Sequence, residues 1–439
     1  MKNTLDKIFR LKELSTDVPT EIIAGAVTFM TMAYIIFVNP AILSAAGIPK
    51  DALIIATCLA AGFTTVLMGV ATNYPFALAP GMGLNAFITY GVVIAMKLPW
   101  QVAMDLVFFE GAIICILVVT RVREWIMNAI PLNMKRAIGV GIGLFIAFIG
   151  LQSAGLVVKS DATMVTFGSF GAPALLSSFG LLFTALLMSR HVKGSILIGI
   201  AVTAAAASVT GVARLPKAVV ALPAASHFTT LLAPLSPAFL SQAFKAGLVS
   251  VVFALILSDF FDTMGTVVAV GGKAGFLDKS GKLPRLRGVL LVDGFAAMVG
   301  GAFGCSSVTC YIESASGVSE GGRSGLTSIV TGVLFFLSII FWPVIAAVPA
   351  AATAPALIIV GFLMIGIVRE IIWDDITEAF PSFLTILTIP LTFSISRGIG
   401  CGFIAYVVIK ACTGKWREVH PAMYIIAVLF AVDFALSKN

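Results

Sequence analysis

NYPFALAPGMGLNAF, residues 73–87, lies in apolar sequence that one continuous helix cannot cross. Pro75 and Pro80 lack the N–H that such a helix needs. Gly81 and Gly83 let the backbone bend or approach a neighbour closely. Asn85 then falls in the first turns of a half-helix. A second stretch of the same kind, GCSSVTCYIESASG at 304–317, has small and β-branched residues from Ser306 to Ile312. These favour an extended piece, with Glu313 at the start of the segment after it. Irregular backbone at membrane depth is tolerated only against protein or a watery cavity. Two interrupted segments at matching places in two halves of a chain therefore point to a binding site between discontinuous helices.

The remaining sequence supplies the membrane and the halves. Of 439 residues, 59% are hydrophobic and 11% charged, against about 25% charged in soluble proteins. Apolar runs fit to span a bilayer fall at about 21–44, 52–72, 80–96, 101–120, 137–158, 172–189 and 194–212. A second set falls at about 243–270, 287–303, 306–318, 324–347, 354–370, 381–413 and 421–436. The Pro-rich stretch 214–239 divides them. The sequence thus predicts an all-α polytopic membrane protein of about 14 segments in a 7+7 inverted repeat, because an odd number of spans per half makes the second half enter from the opposite side. Short extended pieces belong to spans 3 and 10. The run 381–413 is too long for one straight helix, and Ser396-Arg397-Gly398 is the expected break.

The net charge of +7 sits in inter-helix loops and forms no nucleic-acid-binding stripe. Lys2, Lys7, Arg10, Lys12, Arg121, Arg123, Lys135, Arg136, Arg190 and Lys193 all fall in loops on one side, which predicts a cytoplasmic N-terminus. Leu5, Ile8 and Phe9 share one helical face near Lys2, Lys7 and Lys12, the pattern of a short surface helix. No leader with an apolar core and cleavage site is seen in the first 20 residues. The six cysteines have no CxxC spacing, so neither a disulfide framework nor a metal site is expected, and no cofactor is implied. No GxxxxGK[ST] pattern occurs, so movement of a solute would be driven by an ion gradient.

Ionisable groups within spans are costly and are functional candidates by default. VVFALILSDFFDTMGTVVAV (251–270) carries Asp259 and Asp262 three residues apart, neighbours on one helical face. Two such carboxylates in low dielectric cannot easily both ionise, so one is able to hold a proton. Glu313 could accept the N–H groups of a heterocycle, and Asn85 offers both a donor and an acceptor. Phe260, Phe261, Phe76 and Phe87 are candidates to stack on a planar base, although with 33 Phe in the chain ordinary packing competes for each. Glu110 and Asp293 are also membrane-embedded, with helix pairing or a proton relay as their available roles. Trp373-Asp374-Asp375-Ile376-Thr377-Glu378 reads as solvated or capping carboxylates.

Together, VTFMTMAYIIFVNP (27–40), NYPFALAPGMGLNAF, SDFFDTMGT (258–266), VTCYIESASGVSEGGRSGL (308–326), ATAPALIIVG (352–361) and WDDITEAFPSFLTILTIPLTFSI (373–395) resemble the nucleobase:cation symporter-2 (nucleobase/ascorbate) family. The resemblance is to its AzgA-like branch of adenine, guanine and hypoxanthine permeases and covers nearly the whole chain. It implies a substrate-holding core of spans 1–4 and 8–11 (residues 1–130 and 239–350) and a gate of spans 5–7 and 12–14 (131–238 and 351–439), packed as a homodimer. It places the acidic residue of span eight on Asp259 or Asp262, with Asp259 favoured for the base and Asp262 as its proton-linked neighbour. Glu313, Asn85, Phe260, Ala79, Gly83, Thr309 and Ser314 complete the expected purine site.

The expectation is therefore a multi-pass inner-membrane transporter, not an enzyme, importing purine nucleobases with protons rather than sodium by alternating access. Its rivals are an anion carrier of the same architecture, for sulfate or bicarbonate, and an intramembrane aspartyl protease using Asp259 and Asp262. An anion site should present helix N-termini without facing carboxylates. The protease would leave the two broken spans unexplained, and no GxGD signature appears.

Overall fold

The computed structural model describes residues 6, 8–120, 129–213, 215–216, 218–243, 249–278 and 283–436. In chain order the first half comprises α1 (Val18–Met32), α2 (Ile35–Leu43), α3 (Lys50–Thr72), β1 (Leu78–Pro80) and α4 (Met82–Ala86). Next come a π-helical segment (Phe87–Ile94), α5 (Trp100–Val119), α6 (Leu132–Ser153), the hairpin β2 (Val157–Ser160) and β3 (Met164–Phe167), α7 (Ala172–Ser189), α8 (Ser195–Val209) and the short α9 (Pro237–Ala243). The second half has α10 (Val249–Lys273), α11 (Leu286–Phe303), β4 (Val308–Cys310), α12 (Ser314–Ser319) and α13 (Gly325–Ser338). It ends with α14 (Trp342–Ala347), α15 (Ala350–Ile365), α16 (Ile376–Thr392), α17 (Ile395–Cys412) and α18 (Pro421–Leu436).

Among the described residues, ten helical stretches are long and apolar enough to cross a membrane. Four shorter apolar helices, Met82–Ile94, Ser195–Val209, Ile376–Thr392 and Pro421–Val432, accompany them. Packing reflects an exchange of halves: α3 lies on α13, its counterpart α11 lies on α5, and α6 lies on its own counterpart α15. Glycine permits the closeness of each pair, as expected where van der Waals packing drives helix association in lipid. A Cβ at Gly69 would stand 2.4 Å from the Gly325 carbonyl oxygen, one at Gly111 2.5 Å from that of Gly294, and one at Gly361 2.4 Å from that of Gly143.

The last spans depart from the sequence expectation. The run 381–413 is divided at Phe393, which takes the left-handed conformation (φ 51°), and not at Ser396–Gly398. Ser394 then caps α17 by accepting the Arg397 N–H at 3.2 Å. With α16 and α17 paired as α7 and α8 are in the first half, α18 stands outside the 7+7 pattern. The Ser394 hydroxyl, a favourable N-cap, starts the second helix there.

Candidate functional site

The two interrupted spans meet where expected. β1 and β4 pair antiparallel, with Leu78 opposite Cys310, Ala79 opposite Thr309 and Pro80 opposite Val308. Gly81 N–H donates to the Ser307 carbonyl and Tyr311 N–H to that of Ala77, both at 2.9 Å. The Tyr311 hydroxyl donates to the Pro80 carbonyl at 2.5 Å, and Ala77 N–H donates to Ser314 Oγ at 2.9 Å. Main-chain groups exposed by the broken helices are thus satisfied by each other, which low-dielectric surroundings demand.

One face of this crossing is sealed. Asp293 of α11 is fully buried and accepts from Thr263 Oγ1 at 2.7 Å and from Cys310 N–H at 3.1 Å. Thr309 Oγ1 lies 3.4 Å from Asp293 Oδ1 and 2.7 Å from Thr263 Oγ1. Asp293 therefore fastens β4 to α10 and α11, a positioning role that sequence alone left open. Glu21 does the same between α1 and α13, accepting from Arg323 N–H (2.8 Å), Thr327 N–H (3.1 Å) and Thr327 Oγ1 (2.6 Å).

The other face is open. Asp262 is exposed although protein walls surround it, close enough to Glu313 and Asp293 for their charges to interact. Gly265 and Ala269, on the same face of α10, are exposed as well, and a Cβ at Gly265 would meet nothing within 4 Å. An open face of α10 therefore runs from Asp262 toward the Lys273 end, and around Asp262 it is walled into a cleft. Glu313, partly exposed at the N-cap position of α12, faces Asp262 across it. Its carboxylate does not cap that helix, but accepts from the buried Tyr34 hydroxyl at 2.5 Å. Tyr34 sits at the break between α1 and α2. Its signal in sequence was a phenol amid apolar residues of the 27–40 motif, where no role was apparent.

The other expected site residues divide between scaffold and cleft. Asp259 is fully buried, so the preference for Asp259 over Asp262 as the group facing a ligand does not match the side-chain directions. The three-residue spacing turns one carboxylate into the packed interior and the other into the cleft. Phe260 is also fully buried and packs with Ile114, Val118, Ile256 and Leu290. It faces α5 and α11, where a base has no access. The Phe261 side chain lies outside the described residues; Phe76 and Phe87 are packed in the interior. Asn85 is buried beside the crossing and donates to Asn39 Oδ1 at 2.6 Å. Asn39 in turn donates to Thr57 Oγ1 at 2.9 Å and to the Cys305 carbonyl at 3.2 Å. Ala79, Thr309 and Ser314 are buried in the strand scaffold. Gly83 brings α4 against α6, since a Cβ there would stand 2.5 Å from Ile142 Cγ2.

Of the acidic stretch 373–378, Asp375 caps α16 as expected, accepting Thr377 N–H at 2.9 Å. The Lys415 ammonium and Thr377 hold its carboxyl below the usual range. Glu378 is not merely solvated: Lys410, nearly buried, bridges it at 2.9 Å and Glu418 at 2.8 Å.

A family model described as Permease family, that of the nucleobase/ascorbate transporters, matches residues 19–401. The chain belongs to that family. It is 45% identical over 431 residues to the guanine/hypoxanthine permease PbuO of Bacillus subtilis, covering 97% of this chain and 99% of that one. It is 42% identical over 427 residues to the adenine permease AdeP of Escherichia coli, covering 97% and 95%. In fold it is similar to the transmembrane domain of a cyanobacterial bicarbonate transporter, BicA, with a TM-score of 0.65 at 16% identity, covering 86% of this chain and 96% of that one. The protein is thus an all-α, multi-pass membrane transporter and not an enzyme. Asp259 and Asp262 look into different surroundings, so the protease reading also lacks its paired acids.

Proposed function

We propose that this family member imports purine nucleobases, namely hypoxanthine, guanine or adenine, by proton symport, with the base held between Asp262 and Glu313. The observation that carries the reading is the pair of carboxylates opening onto one cleft where two broken spans meet. Carboxylates accept hydrogen bonds only, and purines present ring and exocyclic N–H donors to match. An anion would meet two facing carboxylates, which disfavours the sulfate or bicarbonate alternative despite the shared fold. The relatives named as guanine/hypoxanthine and adenine permeases support the same substrate class.

In this reading Tyr34 orients Glu313, and Asn85 and Gly83 shape the Ala79 side of the site. The strand-bearing helices (1–130 and 239–350) act as a core that moves against a gate (131–238 and 351–439), in a homodimer. The N-terminus is cytoplasmic and the protein resides in the inner membrane, so the open face running from the cleft toward Lys273 leads inward. Proton rather than sodium coupling is supported by the carboxylates at membrane depth, which are able to hold a proton. Uptake of radiolabelled hypoxanthine, guanine and adenine is measured in cells lacking their own permeases, with and without a protonophore. Uptake of at least one base, abolished by the protonophore, is expected; no uptake by well-expressed protein would sink the proposal.

A further inference from the structure

Midway along α5 lies a carboxylate that the binding site does not use. Glu110 is fully buried, and its oxygens meet no donor at ordinary hydrogen-bond geometry, with the Ser307 hydroxyl close enough to interact. Burying a carboxylate with so few donors around it costs several kcal/mol, and helix glue does not explain it. Asp293, on the helix packed against α5, shows what a structural carboxylate looks like here, with three donors around it. Beside Glu110 lies Ser307, at the entry to β4. The neighbouring Ser306 Oγ is buried and without a hydrogen-bond partner, and Ser306 is held at φ 74°. A second carboxylate with both oxygens buried and unpartnered, Asp105, lies on the same helix nearer Trp100. Five residues apart, the two carboxylates are separated by about 7.5 Å along the helix axis and about 140° around it, so they face different neighbours.

We propose that Glu110 is the residue that holds the co-transported proton, loaded from the Trp100 end of α5. The proposal rests on the symport reading and on the orientation that makes the Trp100 end external. In the outward state the Glu110 carboxylate takes a proton from external water. In the inward state it gives that proton back, past the Ser307 hydroxyl, to water in the cleft; no other bond changes. Among the described residues, the titratable groups on elements packed against α5 are Asp293 and Arg287 of α11, Asp259, Asp262 and Lys273 of α10 and Tyr90 of the π-helical segment, with Arg287 donating to the Val119 carbonyl at the far end of α5 at 2.9 Å. No lysine or arginine on the described lengths of these elements lies at the depth of Glu110. The proton is therefore the available counter-charge.

The test uses purified full-length protein in liposomes, with the radiolabelled purine that the uptake assay identifies. In the wild type, an inward-directed pH gradient should drive accumulation above equilibrium. Glu110→Gln should lose that accumulation entirely and stop responding to pH. It should keep equilibrium binding and counterflow exchange of the purine, because the cleft is untouched. Accumulation by Glu110→Gln at the wild-type level overturns the assignment and leaves the symport reading standing. Loss of purine binding by Glu110→Gln also overturns it, since the residue then serves the site or the fold. A wild type indifferent to the gradient defeats the symport reading itself and this assignment with it.

Discussion

On one face of the β1–β4 crossing, Asp293 is surrounded by the Thr263 and Thr309 hydroxyls and the Cys310 N–H. On the other, Asp262 and Glu313 look into a cleft, with the Tyr34 hydroxyl on Glu313. All three acids sit at membrane depth, and hydropathy alone ranks them equally. The difference is in the donors that the protein itself supplies. A carboxylate saturated by fixed donors positions the backbone, whereas one with acceptor capacity facing a cavity is left for a ligand. On α10, Asp259 and Asp262 differ in burial, the first enclosed by the protein and the second exposed.

The largest effect should come from neutralising the open face. Glu313→Gln and Asp262→Asn each remove a charged acceptor, and hydrogen bonds to charged groups are worth about 1.5–3 kcal/mol. Purine binding should weaken by at least about tenfold, and uptake should be lost. Asp259→Asn should retain affinity. Equilibrium binding of labelled purine to the purified variants reads all three, and weak binding by Asp259→Asn with normal binding by Asp262→Asn would reverse the two faces.

Breaking the sealed face should show itself as stability. Asp293→Ala strands the Cys310 N–H and one hydroxyl proton, since Thr263 and Thr309 remain bonded to each other at 2.7 Å, and each stranded donor costs about 1–3 kcal/mol when buried. A loss of roughly 3 kcal/mol or more is expected, read as a large drop in the thermal unfolding midpoint of detergent-solubilised protein. Unchanged stability together with lost binding would move Asp293 into the ligand site.

A smaller effect belongs to the hydroxyl that joins the open face to α1. Tyr34→Phe keeps the ring and removes the donor to Glu313 Oε1. Affinity should fall by about tenfold, equivalent to 1.4 kcal/mol, with little change in thermal midpoint because the ring remains packed. A variant with wild-type affinity would show that Glu313 needs no positioning.

Much of this was legible in the sequence, for identifiable physical reasons. The interrupted spans were visible because Pro75, Pro80 and the run Ser306–Ile312 are incompatible with continuous helix, and the structure pairs them as strands. Membrane-depth acids were visible because apolar flanks make them conspicuous. Side-chain direction was not: the three-residue spacing puts Asp259 and Asp262 on adjoining parts of a helix surface, and only the neighbours decide which part is open. Tyr34 and Asn39 were hidden because a lone phenol or amide amid apolar residues has no periodicity to report its partner. The division at Phe393 was missed because a phenylalanine at positive φ is not a turn signal, whereas the glycine at 398 is.

The smallest predicted effect concerns Phe260, the aromatic that motif spacing places beside the acids. Its ring fills a pocket among Ile114, Val118, Ile256 and Leu290, so it contributes packing between α10, α5 and α11 and not stacking on a base. Phe260→Leu keeps an apolar side chain there and leaves a small void, with a stability cost of about 1 kcal/mol. Purine affinity should be unchanged, because the substitution lies on the far side of α10 from the Asp262 cleft. Isothermal titration beside a thermal melt separates the two quantities. A marked loss of affinity at preserved stability would mean that the base reaches the packed side of α10, and the division of that helix into a sealed and an open face would have to be abandoned.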